Sequence, residues 1–269
     1  MRFAICPINE TSTASAFELV TEVFVRHSNL HKAVGADLRS YRAYVAAGFF
    51  RDVADGLSLM AVDRTDNNVI GVLIVRDFIS PAPPQLDDPQ YAPIAAVTSH
   101  LESIYRRQRQ ISAGEVALVD MAAVHPDYAG QGVYRALRMA LATYGFARGY
   151  RYIAGELSSA VTQRLVLDHL QHRNCAELVL ADFIYESKRP FAAIKTPPKI
   201  ILAEGPTTPP SAQATSQSSV VPCPYYGHSD VLTGLAFNRK AKDDKHRVNL
   251  PVTHLNGGNV FPRCQWKVR

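Results

Sequence analysis

Two hydrophobic rhythms alternate along the first 205 residues: short, nearly continuous apolar runs, and longer segments in which apolar residues return every three or four positions. The first rhythm belongs to strands buried on both faces, the second to helices with one buried face. "RFAICPI" predicts a strand, and "STASAFELVTEVFVRHSNLHKAVG" a helix opened by a Ser or Thr cap and closed at Gly35. "DLRSYRAYVAAGFFRDVADG" predicts a second helix, capped by Asp37 and ended by Gly56. "LSLMAVDR" and "VIGVLIVRDF" predict an antiparallel hairpin turned at Thr65 to Asn68.

A Pro-rich loop then leads into a helix from about Ile94 to Arg109, followed by the apolar strand "VALVDMAAV". The next helix, from Gln131 to Arg148, carries Val133, Leu137, Ala140, Leu141, Tyr144 and Ala147 on one face. "YRYIAGELS" predicts a strand, "SAVTQRLVLDHLQHR" a helix and "AELVLADFIY" a final strand. The order βααββαβαβαβ implies an α/β chain with a mixed sheet covered by helices.

The rhythm stops at "GPTTPPSAQATSQSS", where Pro, Ser, Thr and Gln leave no face to bury. Residues 1–205 are therefore expected to form one domain, and residues 206–269 a low-complexity linker and a basic, disordered tail. Charge sharpens this division. The chain carries +5 overall, and residues 206–269 hold eight Lys and Arg against three Asp, so the excess lies in the tail and the body is neutral. Tyr225, Tyr226, Phe237, Phe261 and Trp266 interleave with those cations, a composition able to touch nucleic-acid phosphates. Such tails are more often plain solvated ends, and nucleic acid is not the expected partner. No apolar stretch predicts a membrane span or a secretory signal, so the expected location is the cytoplasm. The cysteines, Cys6, Cys175, Cys223 and Cys264, show no zinc-type spacing and are expected as free thiols, with no metal.

The chemistry begins at "HPDYAGQGVYRAL", residues 125–137, where a strand runs through a turn bearing Gly130 and Gly132 into a helix. Such a turn aims main-chain N–H groups and the positive helix end at one spot, which suits a phosphate. Glycine lets the backbone approach that ligand closely. The dinucleotide fingerprint is excluded because Arg135 stands where its third glycine belongs, and no Walker A loop is present. A turn with no ligand is the competing reading.

"VHPDYAGQGVYRAL" resembles the acyl-CoA-binding motif of the GNAT superfamily of N-acetyltransferases, and the preceding order of strand, two helices and hairpin resembles that fold. Tyr134 departs from the small residue usual at its position. "SSAVTQRLVLDHL", "HSNLHKAVG" and "FIYESKRPFAAIKTPPKIILAEGP" resemble segments of insect arylalkylamine N-acetyltransferases and related nematode proteins. The resemblance spans about residues 3–204. It implies a GNAT fold and acetyl-CoA as co-substrate. The pantetheine arm would lie along the main chain of Ala122, Ala123 and Val124, and the pyrophosphate at Gly130, Gln131, Gly132, Val133, Tyr134 and Arg135.

Acetyl transfer to a primary amine needs a proton acceptor, because an alkylammonium has a pKa of about 10.4. The carboxylates on or beside the two strands expected to splay are Glu115, Asp120 and Glu156. Asp120 leads, since a charge inside "VALVDMAAV" is costly unless it meets a wet cleft or a partner. A buried ion pair would serve equally well. His125 is a weaker candidate. The resemblance adds the hydroxyls of Ser158 and Thr162, where the insect enzymes place catalytic serines; Ser158 and Ser159 as helix caps is the plainer reading. It also places Ser28 where those enzymes carry a glutamate, and Leu167 where a tyrosine acid is common. Arg164 is a candidate phosphate ligand.

Tyr41, Tyr44, Phe49, Phe50 and Tyr91 fall in the segments expected to line the acceptor side and suit an apolar or aromatic amine, or simply a core. The expected function is therefore transfer of acetyl from acetyl-CoA to a small amine. A non-catalytic acyl-CoA sensor and a protein N-acetyltransferase are the alternatives.

Overall fold

A computed structural model describes residues 2–81 and 88–209. The expected boundary at residue 205 falls at the end of the last strand, and the basic tail lies outside the described residues. The sheet has seven strands in the order β1-β2-β3-β4-β5-β7-β6. These are β1 (Phe3–Pro7), β2 (Leu59–Asp63), β3 (Val69–Asp77), β4 (Val116–Val124), β5 (Tyr152–Leu157), β6 (Arg173–Val179) and β7 (Lys199–Pro206). Among the described residues only β4 and β5 pair in parallel; every other neighbouring pair is antiparallel.

The helices are α1 (Glu10–His27), α2 (Asn29–Ala33), α3 (Leu38–Ala54), α4 (Ala92–Gln108), α5 (Val133–Ala147) and α6 (Ala160–Gln163), which continues as a wider π-turn from Arg164 to His169. One face of the sheet is covered by α1, α3 and α4, whose Ala16, Leu19, Val20, Phe49, Val97 and Leu101 pack on Met60, Val72, Ile74, Leu118 and Met121. The other face is covered by α5, whose Val133, Leu137 and Leu141 pack on Leu73, Val75, Ala117, Val119 and Ile153. Arginine 138 is buried on the same helix, and Val166 of the π-turn packs on Leu157 and Ile201.

Three expectations are corrected. The first helix is two: α1 is opened by Asn9 rather than a Ser or Thr, through a capping box with Ser12, and Ser28 breaks it by turning extended (φ −76°, ψ 125°) before α2. The sheet gains a strand, β7, which inserts between β5 and β6 after a long connection. Its apolar run carries no periodic sign of which neighbours it will have. Cys175 is a free, buried thiol, but Cys6 is disulfide-bonded, since separation along the chain does not decide which thiols meet.

Candidate active site

The parallel ladder of β4 and β5 runs from Val116 opposite Tyr152 to Val119 opposite Gly155 and stops there. Beyond it β5 stays zipped to β7, with Glu156 opposite Leu202, while β4 stays zipped to β3. The two strands therefore part, and among the described residues the β4 edge from Met121 to Val124 has no strand partner on its β5 side. A pleated edge of this kind offers main-chain donors and acceptors to an extended ligand.

Residue 120 is where β4 bends. In the register with β3, Ile74 faces Met121 and Val75 faces Val119, so Asp120 is the extra residue of a β-bulge. A bulge re-aims a side chain and shifts the alternation beyond it. Leu118 before the bulge and Met121 after it both face the α1/α4 side, and Asp120 opens on that side as well. The apolar strand thus carries its charge without burying it. Its side chain keeps 31% of its exposure and lies 3.4 Å from Arg76 Nε, so Asp120 has both a cleft and a partner.

Past β4, a short 3₁₀ turn (Pro126–Tyr128) leads to the glycines. Gly130 and Gly132 have φ of +75° and +79°, the left-handed region that side chains disfavour, and Gly132 is the N-cap of α5. A Cβ at either position would meet no atom within 4 Å, so the space in front of both is open. The N–H groups of Gly130, Gly132, Val133, Tyr134 and Arg135 make no hydrogen bond to another described residue. The first bond back into the turn is Ala136 N–H to Gly132 O at 2.9 Å. Arg135 and Gln131 are exposed at this spot, and Arg164 is exposed on the π-turn. These features fit the pyrophosphate of a coenzyme A thioester.

A cavity of about 360 Å³ joins the parted strands to the α1/α4 side. Ala122 and Tyr134 line it near the splay, Asp120 and Glu156 its floor, Ser158, Ser159 and Thr162 one flank, and Phe24, His31, Tyr41 and Tyr44 the far wall. Ala123 is buried against α1, and Val124 packs on the α5 side, so neither side chain lines the cavity.

Glu156 is the unusual group. Thr98 Oγ1 of α4 donates to its Oε2 at 3.0 Å, and its Oε1 is shut off from solvent with no partner. Burial pushes its carboxyl up to about 8, helped by the charges of Glu102 and Asp120 and opposed by the Thr98 bond and Arg76. Arg76, with a side chain only 6% exposed, donates from Nη2 to Glu102 Oε1 at 2.7 Å. Around the wall, burial lowers His31 to about 4, with Nδ1 2.9 Å from Ser28 Oγ. Burial also raises Tyr44 to about 12 and Tyr41 well above its ordinary value.

Other sequence candidates lie elsewhere. Glu115 pairs with Arg109 at 3.4 Å and accepts from Ser112 N–H at 2.9 Å, outside the cavity. His125 accepts from Asp127 N–H at 3.3 Å in the turn. Phe49 is core, Phe50 is 48% exposed, and Tyr91 is fully buried behind Tyr41 and Tyr44. The cap of α6 is Ser159, which accepts from Thr162 N–H at 3.1 Å, and Thr162 Oγ1 donates to Ser159 O at 2.9 Å. Ser158 lines the cavity outside that cap. Leu167 packs against Leu157 and Val166. Sequence reasoning missed Arg76, Glu102, Thr98 and His31, each on an element distant along the chain; only the charge of Arg76 inside the run "VIGVLIVRDF" gave a signal.

A chain with this sheet order, this splay and this glycine turn can be compared with solved structures. It aligns with the C-terminal condensation domain of Ebony in complex with β-alanyl-dopamine at a TM-score of 0.70 and 12% identity, covering 77% of this chain and 99% of that one. The chain has the GNAT fold. It also aligns with arylalkylamine N-acetyltransferase 2 from Aedes aegypti (TM-score 0.64, 15% identity, 77% and 100% covered). A third match is the polyamine N-acetyltransferase of Drosophila melanogaster, which forms N-acetylagmatine (TM-score 0.57, 13% identity, 76% and 99% covered). No family model and no curated protein sequence matches. Among the described residues of this GNAT-fold chain no helix is long and apolar enough to cross a membrane, and no cluster of metal-ligating side chains occurs.

Proposed function

We propose that the protein transfers acetyl from acetyl-CoA to the primary amine of a small molecule with an apolar or aromatic body. The observation that carries this reading is Glu156: a carboxyl with an unpartnered oxygen, at the floor of a cavity that opens onto the free edge of β4. The solved enzymes of this fold named above act on small amines, which supports the same class here.

Acetyl-CoA would lie with its pyrophosphate on the N–H groups of Gly130 to Arg135 and its pantetheine along Ala122 to Val124, and it supplies the activated acyl group. Phe24, Tyr41 and Tyr44 offer ring faces to the acceptor's body and to its cation. The ammonium is drawn toward Asp120 and Glu156. Glu156 takes one of its protons, and a proton acceptor near 8 suits a donor near 10 better than an ordinary carboxylate does. The freed lone pair forms the C–N bond to the thioester carbonyl, while a main-chain N–H of the β4 edge polarises its oxygen. The C–S bond breaks and the thiolate leaves with its electron pair. A thiol pKa of about 8.5 lets it depart without a strong acid, so Leu167 in place of a tyrosine is tolerated. The nitrogen loses its second proton, and amide, thiol and one free proton result. Ser158, on the cavity lining, would bond the acceptor or the departing sulfur, whereas Thr162 spends its hydroxyl on the helix cap.

The test is calorimetric titration of the full chain with acetyl-CoA, then thiol release against a panel of arylalkylamines and polyamines. Binding with turnover is expected, and Gly132→Glu should fold normally yet bind at least about 100-fold more weakly. Binding without turnover on any amine would make the protein a sensor, and no binding would return the glycine turn to architecture.

A further inference from the structure

The cavity floor holds three carboxyl groups, Glu102, Asp120 and Glu156, and behind two of them lies one guanidinium, Arg76, paired with Glu102 and Asp120. All three Arg76 nitrogens are engaged by groups other than Glu156. Nη2 serves Glu102 at 2.7 Å, Nε faces Asp120 at 3.4 Å, and Nη1 lies 3.4 and 3.5 Å from the carbonyl oxygens of Asp77 and Phe78. Arg106 adds a second cation to Glu102 at 3.7 Å. Glu156 receives only the Thr98 hydroxyl.

We propose that Arg76 and Glu102 are positioning residues for proton acceptance: by engaging Arg76, Glu102 keeps the guanidinium off Glu156, and the carboxyl beside the acceptor amine is left without a cation. The proposal rests on the transferase reading of the site. Its logic is competition for one cation in a site where burial makes each charge count. Were Arg76 to swing onto Glu156, that carboxylate would be neutralised and would hold a proton poorly. With Arg76 held by Glu102, the negative charges of Glu102 and Asp120 instead favour the proton on Glu156.

Other polar groups surround the site. Near Glu156 these are Thr98 and Glu102 on α4, Asp120 on β4 and Arg76 on β3, and the cavity wall adds His27 on α1, His31 on α2, Tyr41 and Tyr44 on α3 and Tyr134 on α5, so the signal of Glu156 itself is followed. Burial keeps His31 neutral and both phenols protonated between pH 6 and 9. Asp52, raised to about 6 by burial, lies behind Arg76 on α3, paired with Arg51 at 2.5 Å.

The experiment measures the proton equilibrium of Glu156 directly, by carbon NMR titration of glutamate-labelled full chain with the signal assigned through Glu156→Gln, and in parallel the pH profile of kcat/KM. Glu102→Gln removes a negative neighbour and frees Arg76, so both midpoints should fall by about one pH unit or more. Arg76→Met removes the cation and should raise both; Arg76→Lys should bring them back toward wild type. A merely structural role for the pair would lower activity or stability in both variants without opposite shifts, and unmoved or same-direction midpoints would overturn the proposal. If the NMR midpoints move as expected but the wild-type chain turns over no amine, the charge arrangement stands and the transferase reading fails.

Discussion

Helix α4 covers two glutamates on the same face of the sheet, Glu204 buried and Glu156 half-buried, and they could hardly be treated more differently. Under its C-terminal half lies Glu204 of β7, opposite Ala154 of β5. Tyr105 Oη donates to it, Arg109 pairs with it at 3.2 Å and Arg173 at 3.1 Å. Arg109 is itself stacked over the Tyr152 ring at 4.3 Å. Under the N-terminal half lies Glu156, two residues along β5 from Ala154, with one hydroxyl and an orphaned oxygen. A buried carboxylate surrounded by cations and donors holds elements together, whereas one left short of them is unstable as an ion and reactive toward a proton. The same residue type, face and helix thus serve architecture at one end and, in the function proposed above, chemistry at the other.

The comparison breaks most visibly in activity. Glu156→Gln should lower kcat/KM by about 100- to 10,000-fold. It should also leave the chain as stable as wild type at acid pH and more stable above it. The folded carboxyl is raised to about 8 against about 4.3 for an unfolded glutamate, so its stabilising contribution is complete below the lower value and is lost as pH rises toward the higher one. Paired denaturation curves across that window check the sign; a variant less stable than wild type at pH 8 would contradict the account.

Glu204→Gln should do the reverse. It leaves Arg109 and Arg173 without their shared partner, costs about 3 kcal/mol of stability in thermal or urea unfolding, and spares kcat/KM at a temperature where the variant is folded. The smallest effect is expected from Thr98→Val, which deletes the single bond favouring ionised Glu156. The kcat/KM profile should shift alkaline by about half a unit with its plateau kept, measurable in the same assays.

How far the sequence could lead follows the same division. Strands β2 to β5 and helix α5 were legible because their apolar period repeats locally, and the φ of +75° and +79° at Gly130 and Gly132 are what only glycine makes cheap. Asp120 stood out as a charge in an apolar run. The bulge that aims it did not, because a bulge is a relation between two strands and leaves no mark on one. Strand β7 passed unnoticed for a similar reason: its run "KIILAEG" reports burial on both faces and not its place beside β5. Glu102, Thr98 and Arg76 meet only when α4 and β3 settle against the β4/β5 splay, and no spacing along the chain encodes that meeting.

The position of β7 sets an order of events. Strand β6 is made first, yet among the described residues its one strand neighbour is β7, and β5 too has its second edge covered when β7 arrives. On a ribosome, the half of the sheet that carries Glu156 must wait with one edge open until residue 206 has emerged. A nascent chain stopped before Lys199 would hold the glycine turn and the acceptor wall but lack the strand that braces the floor between them.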